Sequence, residues 1–318
     1  MTGAAAPLLV VITGPTGTGK SDLALNLALT LQAQLPVEIV TVDSAQVYRG
    51  MDIGTAKPSH EVRARVPHHL LDIRDPAHSY SAGEFVRDAR TLIDEIRQRG
   101  RLPLLVGGTM LYLRALRDGL AAMPPACAAL RDELDVRAAA VGWPALHAEL
   151  AQIDAPAAAR ISCNDGQRIQ RALEVFRITG VPISQWQLRT RGSRDDFRWL
   201  QYAVLPNSRL DLRRDLATRF TGMLSAGLLE EVRALYARGD LSEHHASIRA
   251  VGYRQIWQHC AGQCGLDEAT QRAVTATAQL AKRQLTWLRR ESGFTSLTAH
   301  AVGVAEGVAR EIVDAASA

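Results

Sequence analysis

Apolar and polar positions alternate along the first third of the chain in blocks that read as strand, helix, strand, helix, strand. "LLVVIT" at residues 8–13 is a short, fully apolar run of the kind that fills a sheet covered on both faces. A glycine-rich turn follows, and then "SDLALNLALTLQAQ" carries apolar residues at helical spacing without Gly or Pro. "VEIVTVDS" is a second strand ending at Asp43. "EFVRDARTLIDEIRQRG" is an amphipathic helix closed by Gly100, and "LPLLVGGT" is a third strand ending in glycines. This order predicts an α/β fold with a parallel sheet and covering helices. Sites in such folds lie at the carboxyl ends of the strands. Here those ends are Gly14–Ser21, Asp43–Gln46 and Gly107–Thr109, which are expected to converge on one crevice.

After residue 120 the pattern changes. Alanine-rich stretches predict helices with turns at Pro124, Pro144 and Pro156, and "NDGQRIQRALEVFRITG" predicts a strong helix ended by Gly180. "WLQYAVLPNS" predicts a return strand at 199–206. The expected domains are therefore a core of residues 1–120 plus 199–318 and a mostly helical insertion at 121–198. From Arg209 on, the chain reads as mostly helical.

Composition narrows the class. With 318 residues, 47% of them hydrophobic and 22% charged, the chain can bury a full core. A formal charge of +4 permits a nucleic-acid partner without requiring one. Arginine dominates the basic residues, and lysine occurs only at Lys20, Lys57 and Lys282. Cys127, Cys163, Cys260 and Cys264 are too scattered for a disulfide framework. "CAGQC" resembles half a zinc site, with His244, His245 and His259 nearby, but no second pair stands at finger spacing. No run is long enough to span a membrane, and the amino terminus lacks a basic start, so no membrane association and a cytoplasmic location are expected.

"GPTGTGKS", Gly14 to Ser21, fits the G-x-x-x-x-G-K-[ST] phosphate loop in its strand–loop–helix context. Gly14, Pro15, Thr16, Gly17, Thr18 and Gly19 form a backbone cradle. Lys20 neutralises phosphate oxygens, and the Ser21 hydroxyl is a Mg²⁺ ligand candidate. The core is thus expected to be P-loop NTPase-like. The loop specifies a phosphate chain but not what the chain is attached to. A small-molecule kinase and a transferase with diphosphate as leaving group both remain open. Asp43, at a strand end, reads equally as a catalytic carboxylate or as a turn former, while Gln46 offers an amide to a base edge. Arg168 and Arg171 share a helix face, as do Gln167 and Gln170; the spacing alone favours a solvated face. Lys282 with Arg289, and Arg283 with Arg290, lie seven apart and could track phosphates.

Seven blocks in order raise a more specific resemblance. They are "GPTGTGKS", "DSAQVYRGMDIGTAKP", "HHLLD", "VGGTMLYLRAL", "NDGQRIQRALEV", "SIRAVGYRQIW" and "LAKRQLTWLRR". Together the sequence resembles the bacterial tRNA dimethylallyltransferases, the tRNA isopentenyltransferase family, to about residue 290. The resemblance implies transfer of a dimethylallyl group from its diphosphate to N6 of the adenine 3′ to the anticodon. It implies Asp43 as general base, Thr109 near the reacting region, and Lys20 and Ser21 on diphosphate and Mg²⁺. It implies Arg219 on the diphosphate; a further family arginine one turn earlier is replaced here by Asp215, flanked by Arg213 and Arg214. The implied contacts to the tRNA anticodon stem-loop are Asp43, Ser44, Ala45 and Gln46; Thr109 and Arg131; Gln167, Arg168, Ile169, Gln170 and Arg171. They continue at Arg249, Ala250, Val251, Gly252, Tyr253 and Arg254, and at Lys282, Arg283, Gln284, Leu285, Thr286, Trp287, Leu288 and Arg289. Trp287 offers either a stacking surface or a core ring. A monomer is expected, with the helical insertion gripping the RNA stem. A relative that prenylates free AMP or ADP, and a non-catalytic RNA binder, are the remaining alternatives. The carboxyl-terminal "EIVDAASA" adds no zinc finger, as expected of a bacterial form.

Overall fold

A computed structural model describes residues 6–121, 123–189 and 197–317. The chain begins with strand β1 (Leu8–Thr13), helix α1 (Lys20–Leu31), β2 (Val37–Thr41), α2 (His60–Arg65), β3 (His68–His69), α3 (Ala82–Gln98), β4 (Leu102–Gly107) and α4 (Met110–Asp118). Five helices follow: α5 (Ala128–Val141), α6 (Trp143–Ile153), α7 (Ala155–Ala158), α8 (Gly166–Thr179) and α9 (Ile183–Arg189). The chain then returns to the sheet as β5 (Arg198–Leu205) and continues through α10 (Arg209–Ser225), α11 (Leu228–Ala237), α12 (Tyr253–Cys260) and α13 (Leu266–Leu288). It ends with β6 (Phe294–Thr298) and α14 (Val304–Ser317). Two compact units result: Met1–Leu113 with Asp195–Ala318, and Arg114–Arg194.

The sheet of the first unit has the order β3-β2-β4-β1-β5-β6, with every pair parallel. Because all strands run the same way, their carboxyl ends share one edge. Val10, Ile12, Leu104 and Val106 pack with Ala24, Leu27 and Leu31 of α1 and with Val308 and Ile312 of α14. The opposite-facing Leu9, Val11 and Leu105 are also buried, which is why β1 and β4 read as unbroken apolar runs. The amphipathic α3 lies against β2 and β4 through Phe85, Ala89, Ile93 and Ile96. Ser81 and Glu84 start it with a reciprocal capping box, and Gly100 ends it at φ 70°.

The helical unit has its own core of Leu134, Leu146, Leu150, Ile169 and Leu173. Glu174 is wholly buried there. It accepts Arg131 Nε at 2.9 Å, Arg131 Nη2 at 3.1 Å, Arg171 Nη1 at 2.6 Å and the Cys127 backbone N–H at 2.8 Å. Burial pushes the Glu174 carboxyl up, but the two guanidinium groups outweigh it and hold the group below the usual carboxylate range.

Several expectations need correction. Pro144 and Pro156 sit in the first turns of α6 and α7, where a missing N–H costs nothing, so they start helices. Two strands lie outside the predicted pattern. β3 has only two residues, and β6, "FTSLT", lies inside the stretch read as mostly helical. β6 is a half-exposed edge strand specified by its register with β5, Gln201↔Phe294 to Leu205↔Thr298. Arg289, the C-cap of α13, keeps helical backbone angles and donates its N–H to the Leu285 carbonyl at 3.1 Å, so it stays on one face with Lys282, whereas Arg290 lies in the turn beyond the helix. Cys260 and Cys264 are free, and no His, Cys, Asp and Glu group suited to a metal occurs among the described residues. No described helix is long and apolar enough to cross a membrane.

Candidate functional site

The carboxyl edge of the sheet opens into a cavity of about 980 Å³ within the first unit. The turn after β1 forms its floor, and glycine is required there. A Cβ on Gly14 would strike the Val204 carbonyl oxygen, and Gly19 holds φ 75° as the residue before α1. Thr18 closes the loop by donating from Oγ1 to the Pro15 carbonyl at 3.0 Å. Among the described residues no side chain caps the N-terminus of α1, which leaves its first backbone N–H groups at the positive end of the helix facing the cavity side of the loop without a side-chain acceptor.

Lys20 is half-buried beside the loop and donates to the Pro15 carbonyl at 3.2 Å. Burial lowers its pKa from 10.5 to about 8; the Asp43 carboxylate opposes that fall and the Arg219 guanidinium adds to it. These three charges therefore act on one another inside the cavity that all three line.

Asp43 uses one carboxylate oxygen locally. Its Oδ1 accepts the backbone N–H of Ala45 at 2.8 Å and of Gln46 at 3.3 Å. One oxygen thus forms the turn. Oδ2 has no hydrogen-bond partner among the described residues. Thr109 ties the neighbouring strand end to this turn, its Oγ1 accepting the Ser44 N–H at 3.1 Å while its own N–H donates to the Val42 carbonyl at 3.2 Å.

A second network fixes the wall beyond Asp43. Gln46 donates from Nε2 to the carbonyls of Thr55 at 3.0 Å and Ala56 at 3.3 Å, so its amide N–H₂ is not available to a base as expected. The Glu231 carboxylate accepts the backbone N–H groups of Asp52 and Ile53, each at 2.8 Å, and of Gly54 at 3.2 Å. Lys57, its side chain only 1% exposed, donates to the Tyr48 carbonyl, to Asp52 at 2.8 Å and to Asp72 at 2.6 Å.

A model of the family described as IPP transferase matches residues 46–291. A Bordetella petrii protein named tRNA dimethylallyltransferase is 56% identical over 289 residues, 90% of each chain. One of that name from Methylococcus capsulatus is 53% identical over 312 residues, 98% of this chain and 99% of the other. The chain belongs to the tRNA dimethylallyltransferase family. Among solved structures, the tRNA isopentenylpyrophosphate transferase of Bacillus halodurans superimposes with a TM-score of 0.70 at 35% identity, covering 98% and 97% of the two chains. A eukaryotic dimethylallyltransferase acting on tRNA gives 0.78 at 25% identity, covering 98% of this chain and 78% of its own.

The RNA-contact positions that the family resemblance implies are divided by the fold. Asp43, Ser44, Ala45, Gln46, Thr109, Arg249, Ala250, Val251, Tyr253, Arg283, Gln284 and Trp287 line the cavity. Lys282, Arg254, Thr286 and Arg289 are exposed outside it. The side chains of Ile169 and Leu288 are interior packing, and Gly252 is buried. Tyr253 is also buried, its hydroxyl donating to Glu231 at 2.5 Å, so its role is to hold that wall. Leu285 is half-buried. In the helical unit, Arg131 and Arg171 are committed to Glu174, and Gln170 donates to Asp135 at 2.7 Å. Gln167 and Arg168 remain on the exposed side of α8. Arg219 and Asp215 line the cavity, whereas Arg213 and Arg214 do not.

Gln284 has a role its place in the motif does not disclose. Its Oε1 accepts the Thr16 N–H at 2.9 Å, and its Nε2 donates to the Gly108 carbonyl at 2.9 Å. One side chain of α13 thereby buttons the phosphate loop to the turn after β4. Sequence reasoning missed this and the Glu231 anchor, since each joins residues far apart in the chain, and it missed the Lys57 hub, whose partners lie in the surrounding loop and carry no regular spacing. Only Lys57 carried a signal, as one of three lysines in an arginine-rich chain.

Proposed function

We propose that the chain transfers the dimethylallyl group of dimethylallyl diphosphate to N6 of the adenine on the 3′ side of the tRNA anticodon. The observation that carries this reading is the pairing, in one cavity, of an uncapped phosphate loop with a carboxylate that keeps one oxygen uncommitted. The loop N–H groups, Lys20 and Arg219 receive the diphosphate; Asp43 receives the amine. As the C–N bond forms, the allylic C–O bond breaks, the electron pair leaves with diphosphate, and the amine proton passes to Asp43. The allylic cation is delocalised, so stabilising the departing charge and aligning the nucleophile are the main tasks. Thr109 holds the Asp43–Ser44 turn against β4 and keeps that alignment.

Mg²⁺ fits the donor set. Ser21 is exposed in the first turn of α1, and Mg²⁺ bound with a phosphate chain needs only one or two protein oxygens, the rest being phosphate and water. When bound, it neutralises charge on the leaving diphosphate. We further infer that the core is P-loop NTPase-like and that the Arg114–Arg194 unit grips the anticodon stem, with Gln167 and Arg168 on its RNA face. Ser44, Ala45 and Gln46 border the acceptor base, and Arg249 to Val251 with Arg283 and Trp287 complete its surroundings. Lys282 and Arg289 add phosphate contacts. The protein acts as a cytoplasmic monomer.

Mass spectrometry of tRNA after incubation with the protein, dimethylallyl diphosphate and Mg²⁺ tests this. One dimethylallyl group on the adenosine 3′ to the anticodon is expected. Unmodified tRNA, or consumption of ATP in its place, contradicts the reading.

A further inference from the structure

His300 stands at the cavity from a segment that neither the family model nor the recognised motifs reach. The matched region ends at residue 291, whereas His300 follows β6, two residues beyond Thr298. The Ala299 N–H donates to the Leu205 carbonyl at 2.9 Å, extending the β5–β6 ladder by one residue. The backbone then reverses at His300 with φ 58°. That conformation is disfavoured for side-chain-bearing residues, and glycine would adopt it without strain. The chain holds an imidazole there instead.

The ring lies against the phosphate loop. A Cβ built on Gly19 would sit 2.8 Å from its Cε1, 3.2 Å from Nδ1 and 3.6 Å from Nε2. His300 lines the same cavity as Lys20 and Ser21. No hydrogen bond or ion pair engages the ring among the described residues. The loop is therefore walled by three elements: Leu216 of α10 packs at Gly17, Gln284 of α13 binds Thr16, and His300 covers Gly19. Leu216 has no donor, and the Gln284 amide is held to the main chain through both its oxygen and its nitrogen, whereas the His300 ring has no partner among the described residues and can turn a donor to an anion at the α1 N-terminus.

We propose that His300 donates a hydrogen bond to the non-bridging oxygens of the diphosphate, extending the anion cradle beyond the loop. This rests on the reading of the loop as a diphosphate site. The contact strengthens as the C–O bond breaks and charge gathers on the leaving group, with no proton transferred.

The test uses His300→Gly, which suits the left-handed backbone and so spares the fold. Inorganic diphosphate with Mg²⁺ is titrated calorimetrically into wild type and variant, alongside melting curves and RNA affinity. The expected loss is about tenfold in diphosphate affinity, the scale of one hydrogen bond to a charged oxygen. RNA affinity should be unchanged and the melting temperature unchanged or higher. His300→Asn, which tolerates the same backbone and keeps a donor, should recover part of the affinity. Equal diphosphate affinity in wild type and His300→Gly would overturn the role of His300 while leaving the loop assignment standing. Failure of the wild type to bind diphosphate would overturn both. Parallel losses of RNA affinity and melting temperature would mark fold damage and also overturn the assignment.

Discussion

Replacing Lys20 by methionine should make the unliganded protein more stable while destroying its affinity for diphosphate. Burial lowers the Lys20 pKa from 10.5 to about 8. Across that gap the charged form loses about 3 kcal/mol, at about 1.4 kcal/mol for each tenfold. Between pH 8 and 10.5 the unfolded chain holds more protons than the folded one, so this group makes stability rise with pH through that window. At pH 7 the folded protein therefore bears the whole cost. Methionine is of similar length and carries no charge to desolvate. The attraction to Asp43 and the repulsion from Arg219 are already contained in that net shift. The net increase expected at pH 7 is about 1–2 kcal/mol, after discounting for the half-exposed stem. Urea unfolding at pH 7 and pH 10 measures it. The advantage should shrink at pH 10, where the native lysine is largely neutral. Diphosphate affinity should fall about 100-fold or more, since a charge-assisted contact is lost. A methionine variant less stable than wild type by the same margin at both pH values would refute the reasoning.

Gln284→Ala frees the Thr16 N–H and the Gly108 carbonyl, so diphosphate affinity should fall several-fold in titration calorimetry, while far-ultraviolet circular dichroism stays native. Glu174→Gln should destabilise the helical unit by about 3 kcal/mol in urea unfolding, since two guanidinium groups lose a buried counter-charge. Because the Glu174 pKa is depressed in the folded state, its contribution is present above the ordinary carboxylate pKa and is lost as pH falls through the folded value. An acid titration of the wild type should therefore show weakening of this unit beginning below about pH 4.5 and continuing downward. Glu231→Gln should slow single-turnover transfer at saturating RNA while leaving diphosphate affinity unchanged, because it loosens the loop that holds Gln46 and not the phosphate cradle.

The sheet was legible because its central strands are buried on both faces, which β1 and β4 show as apolar runs and β2 shows around the single buried Glu38. The glycine-rich turn between β1 and α1 was legible because backbone geometry demands glycine there, through the close approach of Val204 at Gly14 and the positive φ of Gly19. β6 escaped because only Phe294 and Leu297 are apolar in it, and its pairing with β5 is decided across ninety residues of chain. Asp43 was identified by its place at a strand end, but its division into a turn-forming oxygen and an uncommitted one depends on the Ala45 and Gln46 amides folding back. Spacing alone put Arg171 on a solvated face, and the resemblance implied an RNA contact for Arg131; Glu174, buried between them, binds both. The spacing that put Arg168 and Arg171 on one face says nothing about a carboxylate beneath it.

The central claim is that the uncommitted oxygen of Asp43 steers and deprotonates the acceptor amine. Single-turnover transfer by Asp43→Asn, at saturating dimethylallyl diphosphate and RNA, tests it most directly. The amide preserves an oxygen for the turn but cannot take up the proton. Transfer should fall by about 100-fold or more, the usual scale of a lost general base, with both substrate affinities nearly unchanged. Transfer at the wild-type rate by Asp43→Asn would contradict the account.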